Sequence, residues 1–131
     1  MHRHVLIVLF LSILLTACSN NPYPEGKKLY QQKCQNCHGA DGNGIEKLMP
    51  PLNNSDWMAN HQDKLPCIIK LGMGGKITVN GTDYNRQMPA NEKLTEFEIA
   101  NIINYINHAW DNDLPFRSPE WVQKKLSNCK E

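Results

Sequence analysis

The sequence predicts a small, mostly α-helical domain that carries a single short β-hairpin. Residues 96–110 place apolar side chains at helical spacing, which is typical of a helix with one buried face. Residues 65–71 predict a second, shorter helix. The dipeptide Asn80-Gly81 lies between two β-prone stretches, and this arrangement is a strong signal for a two-residue hairpin.

Local signals place the ends of these two helices. Thr95 can cap the longer helix, and Glu98 completes the capping-box pattern three residues later. Pro66 fits the first turn of the shorter helix because it lacks an N–H that would need a partner there. Gly72 can end that helix in a left-handed conformation.

Two further helices are expected near the ends of the folded region. The first runs from about residue 25 to residue 37 and places apolar side chains on one face. The last begins near Ser118-Pro119 in the C-terminal extension, residues 111–131. Its expected buried side chains are Trp121, Val122 and Leu126.

The amino terminus is predicted to be a targeting segment, residues 1–17. Residues 5–15 form an apolar run that is too short for an ordinary membrane-spanning helix but suits a signal-peptide core. The run ends in Leu-Thr-Ala-Cys, which resembles the lipobox of bacterial lipoproteins. The resemblance implies that Cys18 is lipidated and that residues 18–24 form a linker. The alternative is an ordinary secretory signal cleaved after Ala17.

Charge gives no support for a nucleic-acid partner. Removing the one arginine of residues 1–17 leaves 13 Lys and Arg against 13 Asp and Glu in the exported chain. A chain with this balance is not expected to steer a charged partner over long distances. The remaining length suits one domain.

Residues 34–38 spell Cys-x-x-Cys-His, the attachment signal for c-type haem. Cys34 and Cys37 lie three positions apart, so a helical turn brings both thiols to one side. Each thiol can form a thioether to one haem vinyl group, and His38 can then bind the iron. Two alternatives are weaker: a zinc site would need a second ligand pair, and a thioredoxin-like dithiol would need a βαβ pattern.

Cys67 and Cys129 remain after the lipid and haem assignments. An even number of cysteines in an exported chain predicts a disulfide between them. It would close a loop of about 60 residues, for which chain entropy gives about 4 kcal/mol of stabilisation. The alternative is two unpaired cysteines.

Residues 25–110 resemble a class I cytochrome c domain. The resemblance rests on Cys-x-x-Cys-His-Gly at residues 34–39, on Pro-Pro-Leu at residues 50–52, and on Met88-Pro89 shortly before the apolar helix. It implies a small helical fold wrapped around one covalently attached haem c. The hairpin is then an insertion into that fold, and the C-terminal extension is an addition.

The same resemblance implies roles for individual residues. His38 would bind the iron through its ε nitrogen, and Met88 would bind it from the other side through sulfur. The carbonyl of Pro50 would accept a hydrogen bond from the other nitrogen of His38, and Leu52 would pack on the haem. Near Tyr105, the long helix would be crossed by the first helix at Gly26 and Tyr30.

The distal ligand has alternatives within this chain. Met73 lies in a glycine-rich loop that could also reach the iron. Met49 and Met58 are expected to fill the core. Trp57 is expected to hydrogen-bond a haem propionate or to pack over the haem edge. Two histidines are weaker candidates, with His61 expected in solvent and His108 at the surface or at the boundary of the core.

His/Met ligation leaves the iron no open position, so the expected function is one-electron transfer rather than catalysis. The expected location is the extracytoplasmic side of a bacterial membrane, through the lipid anchor. Expected partners are redox proteins such as a terminal oxidase, a reductase or a dehydrogenase. Two other classes stay open: a haem enzyme or gas sensor with an open distal site, and an accessory subunit of a respiratory complex.

Overall fold

A computed structural model describes residues 21–129. In chain order the elements are α1 (Pro24–Lys33), α2 (Gln35–His38), α3 (Asp56–Asn60), a 3₁₀ turn (Gln62–Lys64), α4 (Leu65–Leu71), β1 (Ile77–Val79), β2 (Thr82–Tyr84), α5 (Glu96–His108) and α6 (Pro119–Leu126). β1 and β2 form an antiparallel hairpin in which Val79 pairs with Thr82 across Asn80-Gly81. The prediction of a mostly α-helical domain with one hairpin is confirmed.

The contact between α1 and α5 is the most extensive one between these elements. The two helices approach closely at Gly26, where a Cβ would overlap the carbonyl oxygen of Asn101 and lie 2.7 Å from the Cβ of Tyr105. Next to this crossing the rings of Tyr30 and Tyr105 pack at 5.3 Å between centroids. The predicted crossing of the first helix at Gly26 and Tyr30 against Tyr105 is therefore present.

The core is built mainly on the apolar stripe of α5. Ile99, Ile102 and Ile103 are almost fully buried there. The predicted capping box is also present, because Thr95 Oγ1 accepts from the Glu98 N–H and Glu98 accepts from the Thr95 N–H. Complete burial of this stripe explains why α5 lies at the centre of the domain.

Two helix boundaries differ from the prediction. The first helix does not continue from residue 25 to residue 37, because the backbone leaves helical geometry at Cys34 and α2 begins afresh at Gln35. The long helix ends at His108 rather than at Trp110, whose φ is +56°. Leaving the helix lets the Trp110 ring turn back onto the glycine turn beside α2, as described below.

The segment from Asp56 to Lys64 forms a short helix and a 3₁₀ turn that were not predicted. Ser55 caps α3 through a 3.1 Å hydrogen bond from the Met58 N–H. Gln62 is buried, and its amide exchanges hydrogen bonds of 3.1 and 2.8 Å with the amide of Asn107 on α5. This tertiary pairing stabilises a stretch whose polar sequence carries little helical periodicity.

The C-terminal extension packs onto the domain through α6. Val122 is fully buried, whereas Trp121 and Leu126 are partly buried, as predicted for this helix. Cys67 on α4 and Cys129 after α6 form a disulfide with their Cα atoms 5.6 Å apart. The extension is therefore linked covalently to the helix that precedes the Met73 loop.

Within residues 21–129, no helix combines the length and apolar character that a membrane span requires. The predicted signal segment (residues 1–17), the lipidation site Cys18 and the first residues of the linker lie outside the described residues.

Candidate functional site

An apolar cleft lies between the turn after α1 and the loops that flank the hairpin. It encloses about 1000 Å³ of space, part of it open to solvent. Two separate stretches of the chain line it: one carries Cys34, Cys37 and His38, and the other carries Met73 and Met88. A pocket of mostly apolar lining with a few polar or ligating groups is typical of a cofactor site.

The two thiols of the cleft are held by one tight turn. The backbone N–H groups of Cys37 and His38 both donate to the carbonyl of Cys34, at 3.1 and 3.0 Å. Cys34 and Cys37 are both unpaired and partly buried. Burial and the neighbouring Cys37 raise the pKa of the Cys34 thiol to about 11. In the protein without a cofactor this sulfur is therefore a neutral thiol.

The His38 imidazole is oriented by a backbone carbonyl. Its Nδ1 lies 3.0 Å from the carbonyl oxygen of Pro50. A carbonyl can only accept, so this contact places the proton on Nδ1 and leaves a lone pair on Nε2. Burial lowers the pKa of His38, and the Pro50 hydrogen bond only partly offsets that effect. The imidazole is therefore neutral and ready to bind a metal.

A glycine turn brings Pro50 next to His38. Gly44 has φ +70° and donates its N–H to the His38 carbonyl at 2.9 Å. A Cβ at Gly44 would overlap the carbonyl oxygen of Met49 and lie 2.8 Å from the carbonyl carbon of Pro50. Only glycine allows the chain to pass this closely, so the turn determines where the Pro50 carbonyl lies.

Two aromatic residues link the same turn to the crossing of α1 and α5 through hydrogen bonds. The sequence did not reveal these contacts. The Tyr30 hydroxyl donates to the carbonyl of Gly39 at 2.6 Å, and the Trp110 indole N–H donates to the carbonyl of Ala40 at 3.0 Å. A Cβ at Gly42 would lie 2.5 Å from the Trp110 ring. The only sequence signal was a tryptophan at the end of the apolar stripe, which was interpreted as part of the helix.

The second wall is a short two-stranded contact between Met73 and Met88. The N–H of Met73 donates to the Met88 carbonyl at 3.1 Å, and the N–H of Met88 donates to the Met73 carbonyl at 2.8 Å. Gly72 permits this approach, since a Cβ there would lie 2.5 Å from the Met88 carbonyl oxygen. The two candidate distal methionines are thus neighbours.

The other candidates divide between the cleft and its surroundings. Leu52, Met49 and Met58 line the cleft, and Met58 is almost fully buried. Trp57 also lines it and stacks on His61, with 4.3 Å between the ring centroids. His61 is partly buried in this stack rather than in solvent.

His108 lies away from the cleft, on the last turn of α5. It is partly buried beside Tyr23, with 5.1 Å between the ring centroids, and its Nδ1 lies 2.9 Å from the carbonyl of Asn104. Within the described part of the chain, His38 is the only histidine that lines the cleft.

The groups in the cleft fit a haem. Two thiols lie on the same turn as an imidazole whose Nε2 is unprotonated, and thioethers line the same apolar cleft. Thiols of this spacing suit attachment to two vinyl groups, and imidazole and thioether are common axial ligands of haem iron. The apolar lining suits the faces of a porphyrin.

Comparison with known proteins agrees with this reading of the cleft. Residues 23–110 match the family model described as Cytochrome c. Two proteins named cytochrome c-552 from Thermus thermophilus are 34% identical over 90 residues, which cover 66% of this chain and 68% or 60% of the relative.

Larger proteins match over a small part of their length. The cytochrome c subunit of a quinone-dependent alcohol dehydrogenase from Gluconobacter oxydans is 27% identical over 69% of this chain and 19% of its own length. The cytochrome c subunit of gluconate 2-dehydrogenase from Pantoea cypripedii is 28% identical over 66% of this chain and 20% of its own length. The chain therefore belongs to the cytochrome c family, and it is a c-type cytochrome that transfers electrons.

Proposed function

We propose that the protein is a membrane-anchored cytochrome with one haem c, attached through Cys34 and Cys37 and ligated by His38 and Met88. The observation that carries the proposal is the hydrogen bond between His38 Nδ1 and the Pro50 carbonyl. It leaves Nε2 free in the same cleft that holds both thiols and Met88. A haem held by both His38 and Met88 would have no position left for a substrate, which suits one-electron transfer.

Haem, when bound, supplies an iron centre that cycles between the ferric and ferrous states. The Met88 thioether is a soft and neutral ligand, so it favours the ferrous state and raises the reduction potential. The Pro50 carbonyl makes the His38 imidazole more basic, which acts in the opposite direction. The apolar walls disfavour the more highly charged state of the site.

The cleft also explains why a carrier rather than a catalyst is proposed. Met73 and Met88 are paired by two backbone hydrogen bonds and both line the cleft, so Met88 would take the position that a substrate needs. A haem enzyme needs an open distal site with groups that bind and activate a substrate. An open site in solution would therefore favour the enzyme or gas-sensor alternative.

We propose redox proteins at a membrane as partners. The names of two sets of relatives describe cytochrome c subunits of dehydrogenases, which supports a dehydrogenase as electron donor. A terminal oxidase or a reductase is the matching acceptor. Contacts of this kind are small and transient, and the open edge of the cleft is the proposed contact surface.

The lipid anchor limits where such partners lie. If Cys18 is the lipidated first residue, the seven residues to Glu25 span at most about 25 Å when fully extended. The haem domain then stays on the extracytoplasmic face of a bacterial membrane. Mass spectrometry should find lipid on Cys18 in the wild type and in Ser19→Ala, and no lipid in Cys18→Ser. A wild-type protein that carries no lipid at this position would contradict the anchor.

Absorption spectra of the purified holoprotein test the ligation. The expected result is a low-spin c-type spectrum in both oxidation states, with a sulfur-to-iron band when oxidised and no change when CO is added to the reduced form. A high-spin or CO-reactive spectrum would contradict His/Met ligation and favour the enzyme or sensor. The number of haems follows from the mass of the intact protein.

A second candidate is an accessory subunit of a respiratory complex, which the dehydrogenase-subunit relatives favour. Electron exchange by the isolated protein distinguishes a free carrier from an accessory subunit. A carrier should pass electrons between a membrane dehydrogenase and an oxidase that do not touch each other, and adding more carrier should raise the rate. An accessory subunit should copurify with its complex and should not support this exchange when added alone.

A further inference from the structure

The distal wall of the cleft contains two methionines in one backbone pair, and a single iron position needs only one of them. Met73 and Met88 face each other with two reciprocal hydrogen bonds of 3.1 and 2.8 Å. Residues paired in this way send their side chains to the same face of the ladder, with Cβ atoms about 4.5 to 5.5 Å apart. Both side chains line the same cleft.

Both methionines are attached to the same helix end. Met73 follows α4 directly, through Gly72, whose N–H donates to the Ile68 carbonyl at 2.8 Å. The Met88 segment returns to α4 through Asn91, whose N–H donates to the Ile69 carbonyl at 3.2 Å. The two methionines are therefore held side by side near the end of α4.

The segment after Met73 has open space beside it. Cβ atoms placed at Gly74 and Gly75 would meet no atom within 4 Å, so there is room for the chain to adjust there. Gly75 has φ +90°, a conformation that glycine adopts without strain. A methionine side chain has three rotatable bonds and adapts readily to an irregular space.

We propose that Met73 is a reserve distal ligand, whose sulfur binds the haem iron when Met88 is absent or displaced. The inference rests on the proposed function, in which Met88 is the resident ligand. Its consequence is a carrier whose iron stays six-coordinate when its first thioether is lost. The site then remains closed to small ligands such as CO while the potential stays in the range set by a thioether.

Four proteins test the proposal: the wild type, Met88→Leu, Met73→Leu and the Met73→Leu/Met88→Leu double variant. Leucine keeps the apolar volume of methionine and removes the sulfur. The measurements are the spin state, CO binding to the reduced protein, the reduction potential, and the ring-current-shifted methyl signal of the bound methionine in proton NMR spectra.

The expected pattern is specific to a reserve ligand. Met88→Leu should remain low-spin and unreactive with CO, but its methyl signal should move, because a different methionine is bound. Met73→Leu should keep the wild-type methyl signal. Only the double variant should become high-spin, bind CO and show a large fall in potential. The matched control, Met49→Leu/Met88→Leu, removes a different cleft methionine and should behave like Met88→Leu.

Two outcomes would overturn the inference and leave the proposed function intact. One is a Met88→Leu protein that binds CO as readily as the double variant. The other is a control, Met49→Leu/Met88→Leu, that opens the site when Met88→Leu does not. A wild type that is already high-spin, or a double variant that still shows the wild-type methyl signal, would instead reject Met88 as the resident ligand and with it the proposed function.

Discussion

The two walls of the cleft are built in different ways. The wall that carries His38 is a single continuous stretch, in which the motif, the glycine turn and Pro50 follow one another within about 17 residues. The wall that carries Met88 is assembled from two strands 15 residues apart, with the hairpin between them. The first wall is packed tightly against aromatic rings, whereas Gly74 and Gly75, which follow Met73 in the second wall, have open space around them.

The difference shows which of the two proposed ligands the fold holds more firmly. On the His38 side, the imidazole is oriented by a partly buried carbonyl, and no other histidine of residues 21–129 lines the cleft. On the Met88 side, a second thioether lies beside the first. The His38 wall offers no second imidazole, whereas the Met88 wall offers a second thioether. The two walls should therefore respond differently to mutation of His38 or Met88.

The largest effect is expected from His38→Ala. The described cleft has no second imidazole, so the low-spin spectrum should be lost completely and the yield of protein with covalent haem should fall sharply. Free imidazole added to any holoprotein that forms should restore the low-spin spectrum. Absorption spectra with and without imidazole check this. A His38→Ala protein that is low-spin without added imidazole would show that this wall also has a substitute.

The next effect comes from the glycines of the two walls. Gly44→Ala should lower the free energy of unfolding by about 3 kcal/mol or more, because the new Cβ would overlap the Met49 carbonyl at a positive φ. Gly75→Ala also has a positive φ but open space, so its cost should be only about 1 to 2 kcal/mol.

Chemical denaturation of both glycine variants measures the difference. Gly74→Ala, which has open space and no positive φ, is the matched control and should unfold like the wild type. If Gly44→Ala and Gly75→Ala lowered the free energy of unfolding equally, that would contradict a tightly packed His38 wall and an open Met88 wall.

The disulfide tests whether the C-terminal extension stabilises the Met88 wall. Replacing Cys67 and Cys129 with serine should lower the free energy of unfolding by about 2 to 4 kcal/mol, because the unfolded chain loses a long closed loop. Denaturation of the double variant checks the magnitude. The haem spectrum at low denaturant should be unchanged, since the pair lies outside the cleft. A changed spectrum would show that α4 needs the disulfide to hold the Met73 strand in place.

The smallest effect is expected from Trp110→Phe. Phenylalanine keeps an aromatic ring against Gly42 and loses the hydrogen bond to the Ala40 carbonyl, so the cost should be about 1 kcal/mol. Trp121→Phe, in the C-terminal extension, is the control for a general effect of removing an indole. Denaturation, monitored by haem absorbance, should show a lower free energy of unfolding for Trp110→Phe but not for Trp121→Phe. An unchanged free energy of unfolding for Trp110→Phe would mean that ring packing, not the hydrogen bond, stabilises this turn.

Much of the His38 wall could be predicted from the sequence because its determinants are local. A motif of five residues identifies the thiols and the imidazole, and a nearby run of glycines signals the turn that follows. The capping box of α5 and the Asn80-Gly81 hairpin are also short-range signals, and both are present in the structure. The polar stretch from Asp56 to Lys64 was missed, because its helical turns are stabilised by buried contacts such as that of Gln62 with Asn107 rather than by its own pattern.

The sequence by itself determined the fold class, the α5 core stripe and the residues that make this chain a c-type cytochrome. These follow from apolar periodicity and from spacings of a few residues, which act before distant parts of the chain meet. Only the tertiary structure decided that Trp110 leaves its helix to hold the Ala40 turn and that Met73 pairs with Met88. Such contacts join residues 15 to 70 positions apart, and each depends on how the intervening chain packs.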